Sequence, residues 1–184
     1  MADLHTAQRR PVLDGRHGGS SAVRLMPVAP ASRVSLRAPA QSIAALSAAL
    51  SLPLPSEPKT SSRMSDRWAL WLGPDEWLLI DGEGADLMAA LSATGALHAA
   101  TDVSHRNMAI LVSGPGAEAT LSAACPQDLS LKAFPVGACS RTVFGKAEVV
   151  LLRVEDEVFR VEFWRSFAEY VFGLLEEASL DSAI

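Results

Sequence analysis

A basic surplus is missing from this chain: 16 Lys and Arg stand against 21 Asp and Glu, a formal net charge of −5. That balance argues against sequence-independent nucleic-acid binding, which needs a cationic surface to displace counterions from phosphates. No apolar run approaches the roughly 18 residues that a membrane-spanning helix requires, so no membrane partner is expected. The opening residues, MADLHTAQRR, hold no apolar core of the kind a secretory signal carries, and the expected compartment is the cytoplasm. Cysteine is scarce. Cys125 and Cys139 have no ligand-type neighbours at CxxC spacing, which speaks against zinc, and a disulfide is disfavoured without export. They read as two small buried thiols near loop ends. A dinucleotide fingerprint is also lacking, because Gly73-Pro74-Asp75-Glu76 and Ser113-Gly114-Pro115-Gly116 are turns rather than GxGxxG.

What is present fits an ordinary globular protein. Hydrophobic residues make up 49% of the 184 positions and charged residues 20%, enough apolar material for one well-buried core. The mean hydropathy of +0.19 is high for a free-standing soluble chain. Two explanations stand: Ala and Leu in packed helical layers, or apolar surface reserved for a partner subunit.

Along the chain, residues 1–21 are polar and glycine-rich and read as a mobile tail that includes His5 and His17. Strands are expected at 23–28 and 33–37, the first an entry or edge strand because of Pro27 and Pro30. A helix follows at 41–50, with Ser42 as a possible cap. Residues 52–67 read as a long surface loop, since Pro53, Pro55 and Pro58 suit neither a helix nor a central strand. Strands at 68–72 and 77–81 form a hairpin across Gly73–Glu76, followed by a helix at 84–94 and a strand at 99–104. The pattern then repeats: a strand at 107–113, a helix at 115–125 and a loop at 126–137. Strands follow at 138–144, 147–154 and 158–164, and a closing helix at 166–177 has Ser166 and Glu169 as its capping pair. The fold class is therefore α+β. Two ferredoxin-like lobes with antiparallel sheets and helices on one face are expected, over about 22–104 and 105–184 of a single domain.

Asp102, Ser104 and His105 invite a triad reading that their spacing rejects. Asp102 and Ser104 share one strand face while His105 points to the other, whereas a triad needs the histidine between nucleophile and acid. Asp102 and Ser104 are better suited to bonding loop amides as the chain leaves one lobe. His105 and Arg106 either project from that crossing or contact a neighbouring subunit. Three of the four tryptophans, Trp68, Trp71 and Trp77, lie on one hairpin, with Trp68 and Trp71 on opposite faces of a strand. At least one of these rings should meet something beyond its own lobe.

Several passages carry a resemblance. TDVSHRNMAILVSGPGAEATLSAACPQDL, residues 101–129, resembles the strand, Ser-Gly-Pro, helix passage of the folate-dependent aminomethyltransferases, including the T-protein of the glycine cleavage system. ALWLGPDEWLL (69–79), CPQDL (125–129), AFPVGAC (133–139) and RSFAEY (165–170) resemble the sarcosine oxidase gamma subunit family, a small relative of that superfamily. The likeness runs over roughly residues 30–178. It implies a non-catalytic subunit, with no catalytic, metal or cofactor residues of its own, in a heterotetramer with alpha, beta and delta partners. Those partners would hold FAD, FMN, NAD, tetrahydrofolate and zinc, and the complex would demethylate sarcosine oxidatively to glycine with one-carbon transfer to tetrahydrofolate. The aminomethyltransferases carry a glycine-pair turn and an acidic dyad where this chain has Phe144-Gly145-Lys146-Ala147-Glu148-Val149. That departure implies a relative that has lost folate binding and keeps the scaffold. The alternatives are the equivalent subunit of an N-methyl amino acid dehydrogenase, or a stand-alone folate-binding protein. The expected partner contacts are Trp71, Pro74, Asp75, Glu76, Trp77, His105 and Arg106, with self-association of the isolated chain.

Overall fold

The computed structural model describes residues 12–182. Its elements begin with two short strands, β1 (Gly18–Gly19) and β2 (Arg24–Pro27). The first lobe follows as β3 (Ser32–Arg37), α1 (Ile43–Leu50), β4 (Ser61–Met64), β5 (Arg67–Gly73), β6 (Glu76–Asp81), α2 (Leu87–Ser92) and β7 (Ala99–Asp102). The second lobe comprises β8 (Asn107–Ser113), α3 (Ala117–Ser122), β9 (Cys139–Phe144), β10 (Ala147–Glu155), β11 (Val158–Trp164) and α4 (Ala168–Asp181).

Each lobe builds one antiparallel sheet. The first has the order β4-β5-β6-β3-β7 and the second β1-β2-β8-β11-β10-β9. Without the edge strand β4, the first lobe is the βαββαβ arrangement of a ferredoxin-like fold. The second repeats it with one change. The place beside β8 that a final strand would fill is taken by β2, where Leu25 faces Val112 in register. Residues 18–27 therefore belong to the second sheet, and the lobe boundary expected at residue 22 moves to the β2–β3 connection.

Strand burial explains the sequence pattern. In β6, Trp77 and Leu79 face the α1 and α2 side, while Leu78 and Ile80 face the other sheet, and all four are buried. A strand covered on both faces reads as a continuous apolar run, which EWLLID does. In β10, Val149 and Leu151 pack under α3 and α4, and Val150 and Leu152 meet Leu70 and Leu78 of the first sheet. The layers are thus helix, sheet, sheet, helix. Doubly covered central strands account for much of the high mean hydropathy.

Further expectations differ from the structure. Residues 12–21 are docked rather than loose: Leu13 is fully buried, β1 pairs with β2, and Arg16 reaches Glu169 and Glu176 while lying over Phe172. Residues 1–11, with His5, lie outside the described residues. The 52–67 segment is not all surface loop. Its prolines end at Pro58, leaving Ser61–Met64 free to donate to β5 as an edge strand, and Leu52 and Leu54 are buried in the first core. Ser42 sits in a 3-10 turn and makes no capping bond to α1, and Ser166 likewise lies in the 3-10 turn before α4.

Candidate partner-contact surface

The turn from β7 into β8 is held from inside. Asp102 Oδ1 accepts from the Ser104 amide at 2.8 Å, and Ser104 Oγ accepts from the Arg33 amide at 2.8 Å and donates to the Arg33 carbonyl at 3.3 Å. These bonds fix the crossing between lobes, as the sequence suggested for Asp102 and Ser104. They leave His105 and Arg106 exposed at its tip. The Arg106 guanidinium lies 5.0 Å above the Trp164 ring, a cation–π arrangement. Trp164 in turn packs against Phe167 at 6.3 Å.

Trp164 is 41% exposed, Phe167 36% and Tyr170 42%, so three large aromatics share one end of β11 and α4. Trp164 is the tryptophan that sequence reasoning did not single out. Its signal was positional: it follows FRVEF, buried apart from Arg160, at the point where the strand gives way to RSF. The tip of the β5–β6 hairpin stands near the same end. Glu76 and Arg141, an ion pair, line one small cleft with Arg106 and Trp164. Pro74 and Asp75 are exposed, and Asp75 pairs with Arg37 at 3.2 Å.

The hairpin tryptophans divide differently from expectation. Trp77 is fully buried in the first core and its Nε1 donates to the Pro55 carbonyl at 2.8 Å. It cannot touch a partner subunit. Trp71 is half-buried against the same core. Trp68 lies on the opposite face, in the cluster shared by both sheets, so the contact beyond its own lobe is made inside the chain.

Among the described residues, no group of three or more His, Cys, Asp or Glu gathers as metal ligands. Both cysteines are free and buried. Burial pushes the Cys139 thiol up to about 12, and it donates to the Thr60 carbonyl at 3.1 Å. The segment expected to matter for folate is a tight turn clamped onto α4: the Lys146 amide donates to Tyr170 Oη at 3.0 Å, and Gly145 has φ of 58°. A Cβ at Gly145 would run into the Tyr170 hydroxyl. Glu148 is exposed. The cavity at the lobe junction, beside Arg33 and His105, is about 30 Å³, and the cleft holding Glu76 and Arg106 about 60 Å³. Both are far below the ~300 Å³ where organic-ligand pockets begin. Neither of these two clefts has room for tetrahydrofolate.

Comparison with known proteins is consistent in its direction. Residues 35–181 match the model of the sarcosine oxidase, gamma subunit family. Sarcosine oxidase subunit gamma of Corynebacterium sp. (strain P-1) is 34% identical over 172 residues, covering 90% of this chain and 85% of its own length. The subunit of the same name from Arthrobacter sp. is 34% identical over 169 residues, 89% of this chain and 83% of that one. Among solved structures, a chain of the heterotetrameric sarcosine oxidase from Corynebacterium sp. U-96, in complex with pyrrole 2-carboxylate, superposes with a TM-score of 0.84. It is 29% identical, over 91% of this chain and 89% of its own. The glycine cleavage system aminomethyltransferase T from Bartonella henselae shares the fold, with a TM-score of 0.66 at 15% identity over 84% of this chain and 45% of its own.

Proposed function

This chain belongs to the sarcosine oxidase gamma subunit family, and we propose that it serves as the gamma subunit of a heterotetrameric sarcosine oxidase. The observation that carries the reading is the near full-length superposition on a chain of such a complex. In this reading alpha, beta and delta subunits are its partners, and FAD, FMN, NAD, tetrahydrofolate and zinc reside on them. The complex demethylates sarcosine oxidatively to glycine and passes the one-carbon unit to tetrahydrofolate, in the cytoplasm. This chain contributes a rigid two-sheet body rather than reacting groups.

The test is co-purification. A tagged copy expressed with candidate large flavin-binding and small zinc-binding subunits should bring down a four-subunit assembly that oxidises sarcosine. Turnover of N-methylglutamate but not sarcosine by that assembly would move the substrate to a related N-methyl amino acid. Recovery of the chain alone, binding tetrahydrofolate with an affinity tighter than about 10 μM, would replace the subunit reading with a stand-alone folate-binding protein.

For the contact itself, the end carrying Arg106, Trp164 and Phe167 is the favoured surface. It gathers aromatic area and arginine, the residue types enriched where binding energy concentrates. Trp164→Ala should weaken assembly by about 2 kcal/mol or more, seen as loss of co-purifying subunits at dilution. Because the ring is 41% exposed, the lone chain should melt close to the parent. Unchanged assembly would move the interface elsewhere, to the Pro74–Asp75 tip first.

A further inference from the structure

Between the two sheets lies a charge that its neighbours do not balance. Arg33 of β3 donates to Glu162 of β11 through Nε at 2.7 Å and Nη2 at 3.1 Å, and both side chains are 1% exposed. Arg160, two residues earlier on the same face of β11, also donates from Nε to Glu162 at 2.8 Å. Its Nη2 stands 2.7 Å from the same oxygen but without a hydrogen-bonding angle. Among the described residues Glu162 is the one carboxylate paired with either guanidinium. Two cations therefore share one anion, with Arg33 and Glu162 fully shielded and Arg160 at the edge of the site, leaving one positive charge in excess.

That excess faces a cleft. The sheets part beside Arg160 to leave a cavity of about 320 Å³, floored by Trp68, Ile80 and Leu111. Strand register puts Trp68 and Ile80 side by side on β5 and β6, and Leu111 opposite Arg160 on β8. Arg63, exposed on β4, lies over the Trp68 ring at 4.9 Å and brings a second guanidinium to the mouth. Two acids also line the cleft. Asp81 is neutralised by Arg67 at 2.7 Å, and Asp66 is exposed on the rim.

We infer that this inter-sheet cleft binds a carboxylate, drawn in by Arg160 and Arg63, with a flat apolar body lying against Trp68. Guanidinium charge favours a carboxylate as its counter-ion, and the indole supplies the apolar wall that such sites use. The carboxylate comes either from a free organic acid or from an Asp or Glu side chain of a partner subunit. The cleft is built from this chain's own residues, and only the partner-carboxylate source rests on the subunit assignment.

The probe is benzoate, with benzamide as its neutral counterpart, added at millimolar concentration to the purified full-length chain and to the assembled complex. Benzoate should raise the melting temperature of the lone chain and quench tryptophan emission, and benzamide should do neither. Arg160→Gln should bind benzoate at least ~tenfold more weakly, the equivalent of one charge-assisted hydrogen bond. It should melt at or above the parent, because it leaves Arg33 and Glu162 matched. Arg63→Gln, at an exposed position, should weaken benzoate without affecting folding. A benzoate response in both lone chain and complex identifies a free acid as the occupant. A response lost on assembly identifies a partner's carboxylate. Equal responses to benzoate and benzamide, or no response in either preparation, overturn the inference, as does full benzoate binding by a folded Arg160→Gln chain.

Discussion

Trp77→Ala should lower the folding free energy of the isolated chain by about 3–5 kcal/mol, the range for deleting a fully buried aromatic. In a chain of this size that is a fall of roughly 10 °C or more in melting temperature. The indole is completely shielded, lies in the first core with Leu36, Leu46 and Leu50, and ties the proline-rich segment down through Pro55. Two losses combine: the cavity that surrounding leucines cannot fill, and a carbonyl left without its donor. Trp77→Phe separates them. It keeps most of the volume and should retain more than half of the stability lost by alanine. Thermal melts of the three proteins decide the matter. If Trp77→Ala melts with the parent yet fails to assemble, the ring belongs to an interface after all and the core placement is wrong.

The contrast between Trp77 and Trp164 shows where sequence reading reached and where it stopped. The sequence placed strands at 107–113 and 158–164, the observed bounds of β8 and β11, and the order of elements was enough for two ferredoxin-like lobes. It could not rank tryptophans by exposure. EWLLID is buried on both faces only because a second sheet covers one of them, and that sheet's approach is a tertiary fact. The strand exchange was hidden for a related reason: β2 is four residues long, ends in proline and carries nothing local to say which sheet it joins. At the turn between lobes the signal was local, so Asp102 and Ser104 could be read as backbone partners from spacing alone. The Arg33–Glu162–Arg160 cluster had no such signal. Its members sit 129 and 2 positions apart, and in sequence each looks like an ordinary polar position on an alternating strand.

Glu162→Gln should be the most damaging single change to the seam between lobes. The substitution keeps the shape of the side chain and removes its charge, so Arg33, with 1% of its side chain exposed, keeps its place with no anion beside it. Removing one partner of a buried pair costs about 3–5 kcal/mol, because the remaining charge is left desolvated. Here two guanidiniums lose the same counter-charge. Arg160, at 13% exposure, can swing toward the cleft and recover some hydration, whereas Arg33 cannot. The seam should therefore loosen before the lobes melt, with amide exchange rising first in β3 and β11. Replacing all three together, Arg33→Met with Arg160→Leu and Glu162→Leu, removes every charge and should be near neutral, or more stable than the parent by about 1–4 kcal/mol if the apolar groups pack. The ordering is what tests the physics: the single variant far below the parent, the triple at or above it. A triple variant as unstable as Glu162→Gln would mean that the cluster's hydrogen bonds to backbone, such as Arg33 Nη1 to the Ala31 carbonyl at 3.2 Å, hold the lobes together rather than its balance of charge.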